Sequence, residues 1–128
     1  MPAAFIGFAT PVCAVDDVAT AQTVIRSQEQ ALGRDDAEVA YALAAPAIRS
    51  VFPDAQTFLS MVRAGYAPVY RHRSFEFGAS RSVGGIVVQE VQIVDADGVA
   101  WAARYTLEAQ PDGSLKISGC TLLKLTEA

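Results

Sequence analysis

The chain has 128 residues, 52% of them hydrophobic and 19% charged, with a formal net charge of −4. That suffices for one compact domain with its own core, and it leaves too little polarity for a disordered segment. Net acidity argues against a nucleic-acid binder, which relies on clustered Lys and Arg to release counterions from phosphates.

The N-terminal stretch MPAAFIGFATPVCAVDD has an apolar run from Ala3 to Ala9, then small residues Val12-Cys13-Ala14 that read as a cleavage site. It lacks the positive segment of a signal peptide and is too short to span a bilayer. Two readings of residues 1–15 stay open. One is the remnant of an export signal on a periplasmic protein; the other is an apolar arm packed on a cytoplasmic one. The domain proper is residues 16–128. Cys13 and Cys120 do not settle the compartment, and a bridge between them requires the leader to remain. A lone Cys120 in a strand packs as a small hydrophobe.

Asp16 and Asp17 are N-cap types, and Val18, Ala21, Ile25 and Leu32 then recur at helical spacing up to Gly33. Asp35-Asp36-Ala37-Glu38 resembles a capping box that opens a shorter helix. Pro46 suits the first position of another short turn through Phe52. Pro53-Asp54 starts a further helix that buries Phe58, Leu59, Met61 and Val62, with Gly65 as a left-handed C-cap. Pro68 is expected to push Ala67 into an extended conformation and end the helical half there.

After Pro68 the period becomes alternating. Phe75 and Phe77 point one way, and Ser74, Glu76 and Gly78 the other. Gly84-Gly85 marks a hairpin, and Ile86 to Val94 reads as a second strand. Asp97-Gly98 turns into a third, with Val99, Trp101, Ala103, Tyr105 and Leu107 on one face. Pro111-Asp112-Gly113 turns into a last strand from Leu115 to Leu125. Connections this short exclude parallel crossovers. The expected fold is therefore α+β, with N-terminal helices packed on a curved, cone-like antiparallel meander of four strands.

This order of parts, ending in DGSLKISGCTLL, is similar to the nuclear transport factor 2-like (cystatin-like) superfamily. Its last strand often reads Asp-Gly-x-Trp-Arg-Ile-x-Gly. Asp112, Gly113, Ile117 and Gly119 match that pattern, while Leu115 and Lys116 replace the Trp-Arg pair. More narrowly, LAAPAIRSVFPDAQTFLSMVRAGYAPVYRHRSFEF resembles the bacterial family called domain of unknown function 4864, from about Val18 to Leu125. The resemblance implies a cavity between sheet and helices, and pairing through the sheet is common in such folds. It implies no activity, since the superfamily holds isomerases, dehydratases and non-catalytic modules alike.

The chemistry-bearing residues concentrate in the stretch MVRAGYAPVYRHRSFEF. Between Arg63 and Arg81 four arginines face one glutamate, Glu76, a local surplus of three positive charges on an acidic chain. Such a patch suits a small anionic ligand better than a polyanion. The candidate ligand-binding residues are Tyr66, Tyr70, Arg71, Arg73, Trp101 and Tyr105. The aromatics would line an apolar cavity, and a guanidinium at its rim would hold a carboxylate bidentately. The plain alternative is a filled core beside a helix-to-sheet junction.

His72, the one histidine, shares a face with Tyr70, Ser74 and Glu76 by simple alternation. As a general base it would need an orienting carboxylate and a dry pocket; the plain reading is a surface histidine between two arginines. Glu76, Glu90 and Glu108 are strand carboxylates with no paired spacing. No spacing of ligands suits zinc or calcium, and no glycine-rich phosphate loop is present. No metal or cofactor is expected. The leading expectation is a non-catalytic module that binds a small amphipathic or anionic molecule or pairs with a copy of itself. The alternatives are a cofactor-free lyase or isomerase using His72 or a strand glutamate, and a structural dimer with a filled core and an apolar outer sheet face.

Overall fold

The structure, a computed structural model, describes residues 14–125. The apolar run, Cys13 and any bridge from it to Cys120 lie outside the described residues. Five helices come first: α1 (Ala14–Gly33), α2 (Ala37–Ala42), α3 (Pro46–Val51), α4 (Ala55–Gly65) and α5 (Ala67–Tyr70). Four strands follow: β1 (His72–Val83), β2 (Ile86–Asp95), β3 (Ala100–Ala109) and β4 (Leu115–Lys124). They form one antiparallel sheet in the order β1-β2-β3-β4, so the fold is α+β with all helices ahead of a meander. No helix among the described residues is long and apolar enough to cross a membrane.

Local chemistry explains most boundaries. Asp54 caps α4 by accepting from the Thr57 N–H at 2.8 Å, and Pro46 opens α3, where its missing N–H costs nothing. The glycines of the three hairpins, Gly84, Gly85, Gly98 and Gly113, all have positive φ. Ile25 and Leu32 of α1 share one buried core cluster with Val91, Ile93, Tyr105 and Leu107 of the sheet.

Four local expectations are corrected. α1 begins at Ala14, so Asp16 and Asp17 lie inside the helix rather than ahead of it. Asp36, not Asp35, caps α2, accepting from the Val39 N–H at 3.2 Å; Asp35 takes the left-handed turn at φ 59°. Gly65 is the last residue of α4 and is not left-handed; Tyr66, at φ −134°, makes the break. Ala67 is helical rather than extended. A proline costs a helix no hydrogen bond in its first turn, so the chain winds α5 around Pro68 and closes it with the Arg71 N–H on the Ala67 carbonyl at 2.9 Å.

Three bulges bend the sheet. One extra residue sits at Arg73, one within Gly78-Ala79, and one at Ser118 opposite the Thr106–Leu107 step. A bulge exchanges the faces of the residues beyond it. At Arg73 this turns His72 onto the inner face with Phe75, the two rings 5.0 Å apart. The expected shared face of His72 with Ser74 and Glu76 is thereby overturned. Gln89, fully buried on the inner face of β2, serves the second bulge. Its Nε2 donates to the carbonyls of Gly78, Ala79 and Glu90 at 2.8–3.3 Å, and its Oε1 accepts from Gln22 of α1 at 3.0 Å.

Candidate functional site

Between the helices and the inner sheet face lies a cavity of about 360 Å³. α1 contributes Gln28 and Leu32, and α3 and α4 close one side with Ile48, Phe58 and Met61. Tyr105 of β3 and residues 117–121 of β4 form the opposite wall, with Tyr66 and Val69 between. None of the described residues that line it is charged.

Its polar groups are few. Gln28 is 6% exposed, and its Nε2 donates to the Ala40 carbonyl at 3.0 Å. The Tyr105 hydroxyl and the Cys120 thiol are neighbours. Burial pushes the Tyr105 phenol well above its usual value near 10.0 and the Cys120 thiol up to about 12. Both are neutral groups, and no Arg, Lys or His stands among the described lining residues beside Cys120 to make its thiol reactive.

The six residues expected to bind a ligand divide between two places. Tyr66 and Tyr105 line the cavity. Tyr70 and Arg71 lie outside it, where both hold Asp35: the Tyr70 hydroxyl donates to Oδ1 and the Arg71 guanidinium to Oδ2 at 3.2 Å. Arg71 also stacks on the Tyr70 ring, 3.9 Å from its centroid, and donates to the Leu32 carbonyl at 3.1 Å. The Tyr70 hydrogen bond, with help from Arg71, lowers the Asp35 carboxyl. Arg73 packs against Gly98 at the β2–β3 turn. Trp101 is held at the same turn, its Nε1 donating to Asp95 Oδ2 at 2.9 Å. The junction arginines are thus engaged with their own fold and do not rim the cavity.

His72 is not the surface residue that its arginine neighbours suggest. Its side chain is 12% exposed, with Nε2 2.7 Å from Glu29 Oε2 and Nδ1 2.9 Å from the Pro68 carbonyl. Glu29, 15% exposed, also accepts from Arg26 at 2.6 Å, and Arg26 lies over the rings of Phe75 and Phe77. An imidazole touching a carboxylate has the form of a catalytic pair. Here, however, both ring nitrogens are occupied and neither residue lines the cavity. The cluster ties α1 to the start of β1 and to α5. The strand glutamates lie elsewhere: Glu90 pairs with Arg104 at 2.7 Å on the outer sheet face, and Glu76 and Glu108 are exposed. Among the described residues no three His, Cys, Asp or Glu side chains are grouped to hold a metal.

Gln28 has a signal in the sequence. It falls between Ile25 and Leu32 at helical spacing, a polar residue inside the apolar stripe of α1. Gln89 carries the same signal in the strand, between Val87 and Val91 on the inner alternation. Glu29 carries no such signal, because its partner lies 43 positions away and reaches it only through the bulge at Arg73.

A family model described as domain of unknown function (DUF4864) matches residues 14–128. A crystal structure described as an NTF-2-like protein of unknown function from Burkholderia xenovorans LB400 is similar, with a TM-score of 0.53 at 12% sequence identity. The match covers 87% of this chain and 88% of that one, and at such identity it speaks for the fold alone. No curated protein matches the chain.

Proposed function

The chain belongs to the DUF4864 family, with the NTF-2-like fold, and from that premise we propose that it holds a small, largely apolar molecule in the cavity between helices and sheet, without chemistry. The observation that carries this reading is the cavity itself. About 360 Å³ of open space with an apolar, uncharged wall is at the small end of ligand sites, and packed cores have few voids larger than a water.

The catalytic alternative finds little support. His72 has no free nitrogen to take a substrate proton, and Glu76, Glu90 and Glu108 are not among the lining residues. A filled structural core is disfavoured by the open volume. Apolar pairing through the outer sheet face is disfavoured by the Glu90–Arg104 pair and by Gln92 and Glu108 around it.

The test is titration with N-phenylnaphthylamine, a neutral dye that fluoresces in apolar surroundings. Wild-type protein is expected to bind it saturably at micromolar concentration. Val62→Phe, which enlarges a side chain on the cavity wall, is expected to remain folded and lose binding. Equal binding by both proteins, or none by either, overturns the reading.

A further inference from the structure

We infer that the cavity selects an uncharged amphiphile whose polar end donates a hydrogen bond, an alcohol rather than a carboxylic acid. This rests on the cavity reading above and narrows it to a ligand class. The deciding residue is Gln28. The Ala40 carbonyl can only accept, so the amide group facing it at 3.0 Å is the NH₂, and the orientation of the side chain is settled. Nε2 spends one of its two hydrogens there, which leaves Oε1 as the acceptor end. Oε1 takes no hydrogen bond from the described residues, yet no fully buried side-chain nitrogen or oxygen among them is left without a partner. Oε1 therefore keeps open surface. In a residue 6% exposed that lines the cavity, that surface is the cavity.

An acceptor held in this way asks for a donor. A carboxylate offers none, and it would meet no cation among the described residues of the wall: they include no Arg, Lys or His, and an unpaired charge moved there loses its hydration without return. The Tyr105 hydroxyl and Cys120 thiol, neighbours on the same wall and both neutral, add polarity to the cavity without adding charge. The volume corresponds to about a dozen water-sized units at ~30 Å³ each, enough for a medium-chain alcohol.

The experiment is displacement of N-phenylnaphthylamine at pH 8 by octanol, by its methyl ether and by octanoate. Octanol and the ether share the chain and the oxygen; only octanol can donate. Wild-type protein is expected to prefer octanol to the ether about three- to tenfold, the worth of one neutral hydrogen bond, and to bind octanoate more weakly than either. In Gln28→Met, which keeps the length but cannot accept, the preference disappears while the ether still binds. In Tyr105→Phe the preference persists. A wild-type protein that binds the ether or octanoate as well as octanol overturns the inference, even if Gln28→Met fails to fold. So does a preference that survives in Gln28→Met. If the dye is bound and displaced without preference, the cavity reading stands and this inference alone falls; if the dye does not bind, both fall.

Discussion

Replacing Gln89 by glutamate changes one atom and leaves the shape of the side chain intact, so its cost isolates a single interaction. In the native protein Nε2 donates to three carbonyls, two of which, those of Gly78 and Ala79, belong to the bulge in β1. A carboxylate there would point an acceptor at acceptors in a fully buried position. The variant must therefore fold with its carboxyl protonated. Holding a carboxyl of ordinary pKa ~4.3 neutral at pH 7 costs about 3.7 kcal/mol, at ~1.36 kcal/mol per unit. The one O–H serves one carbonyl, which leaves a further ~1–3 kcal/mol for an unpaired acceptor. A deficit of about 5 kcal/mol is expected at pH 7, a large part of the ~5–15 kcal/mol that holds a domain together. The sign follows from linkage. The folded variant binds a proton that its unfolded chain releases above pH ~4.3, so the deficit grows with pH. Between pH 5 and pH 7 it should widen by about 2.7 kcal/mol. Urea unfolding of wild type and variant at both pH values reads this directly, with Gln92→Glu, exposed on the same strand, as the control. A deficit under ~1 kcal/mol, or one that does not change with pH, would refute the claim that Gln89 sustains the bulge as a buried donor.

Two further outcomes are expected. In a double-mutant cycle with Glu29→Gln and His72→Gln, the pair should couple by about 1–2 kcal/mol in urea unfolding, because the 2.7 Å contact is mostly shielded from water; coupling below ~0.3 kcal/mol would mean the contact is incidental. In a Cys13→Ser background, Cys120 in the native protein should react with a thiol reagent at pH 8 at least ~100-fold more slowly than in urea. A thiol pushed from 9.0 to about 12 holds about a thousandfold less thiolate there, and comparable rates in the two states would contradict its burial.

The layout was legible in the sequence because its signals are local. A helix stripe, a proline at a helix start and a glycine in a hairpin are each written within a few residues. Period two from Trp101 to Leu107 sufficed to assign the inner face of the third strand. Four of the six expected ligand-binding residues lie away from the cavity for a different reason. Arg71 and Tyr70 looked available for a ligand because their partner Asp35 lies 35 and 36 positions earlier, beyond any window that periodicity inspects. Arg73 and Trp101 go to the β2–β3 turn, which pattern alone does not bring near β1. Polar residues on apolar stripes, Gln28 and Gln89, were the better pointers to buried chemistry.

The bulge at Arg73 also gives the junction a kind of parity. A strand has two faces and counts its residues by twos, so one supernumerary residue decides which side chains the helices see. If Arg73 were paired into the ladder instead of being skipped, it would face Asp95 itself and take the inner side. His72 would then rotate away from Glu29 and Pro68 towards solvent while everything from Ser74 onward kept its place. The link between α1 and the sheet's first strand thus hangs on a count rather than on the identity of the residue counted. Substitutions at position 73 should be absorbed as long as the residue there stays outside the pairing.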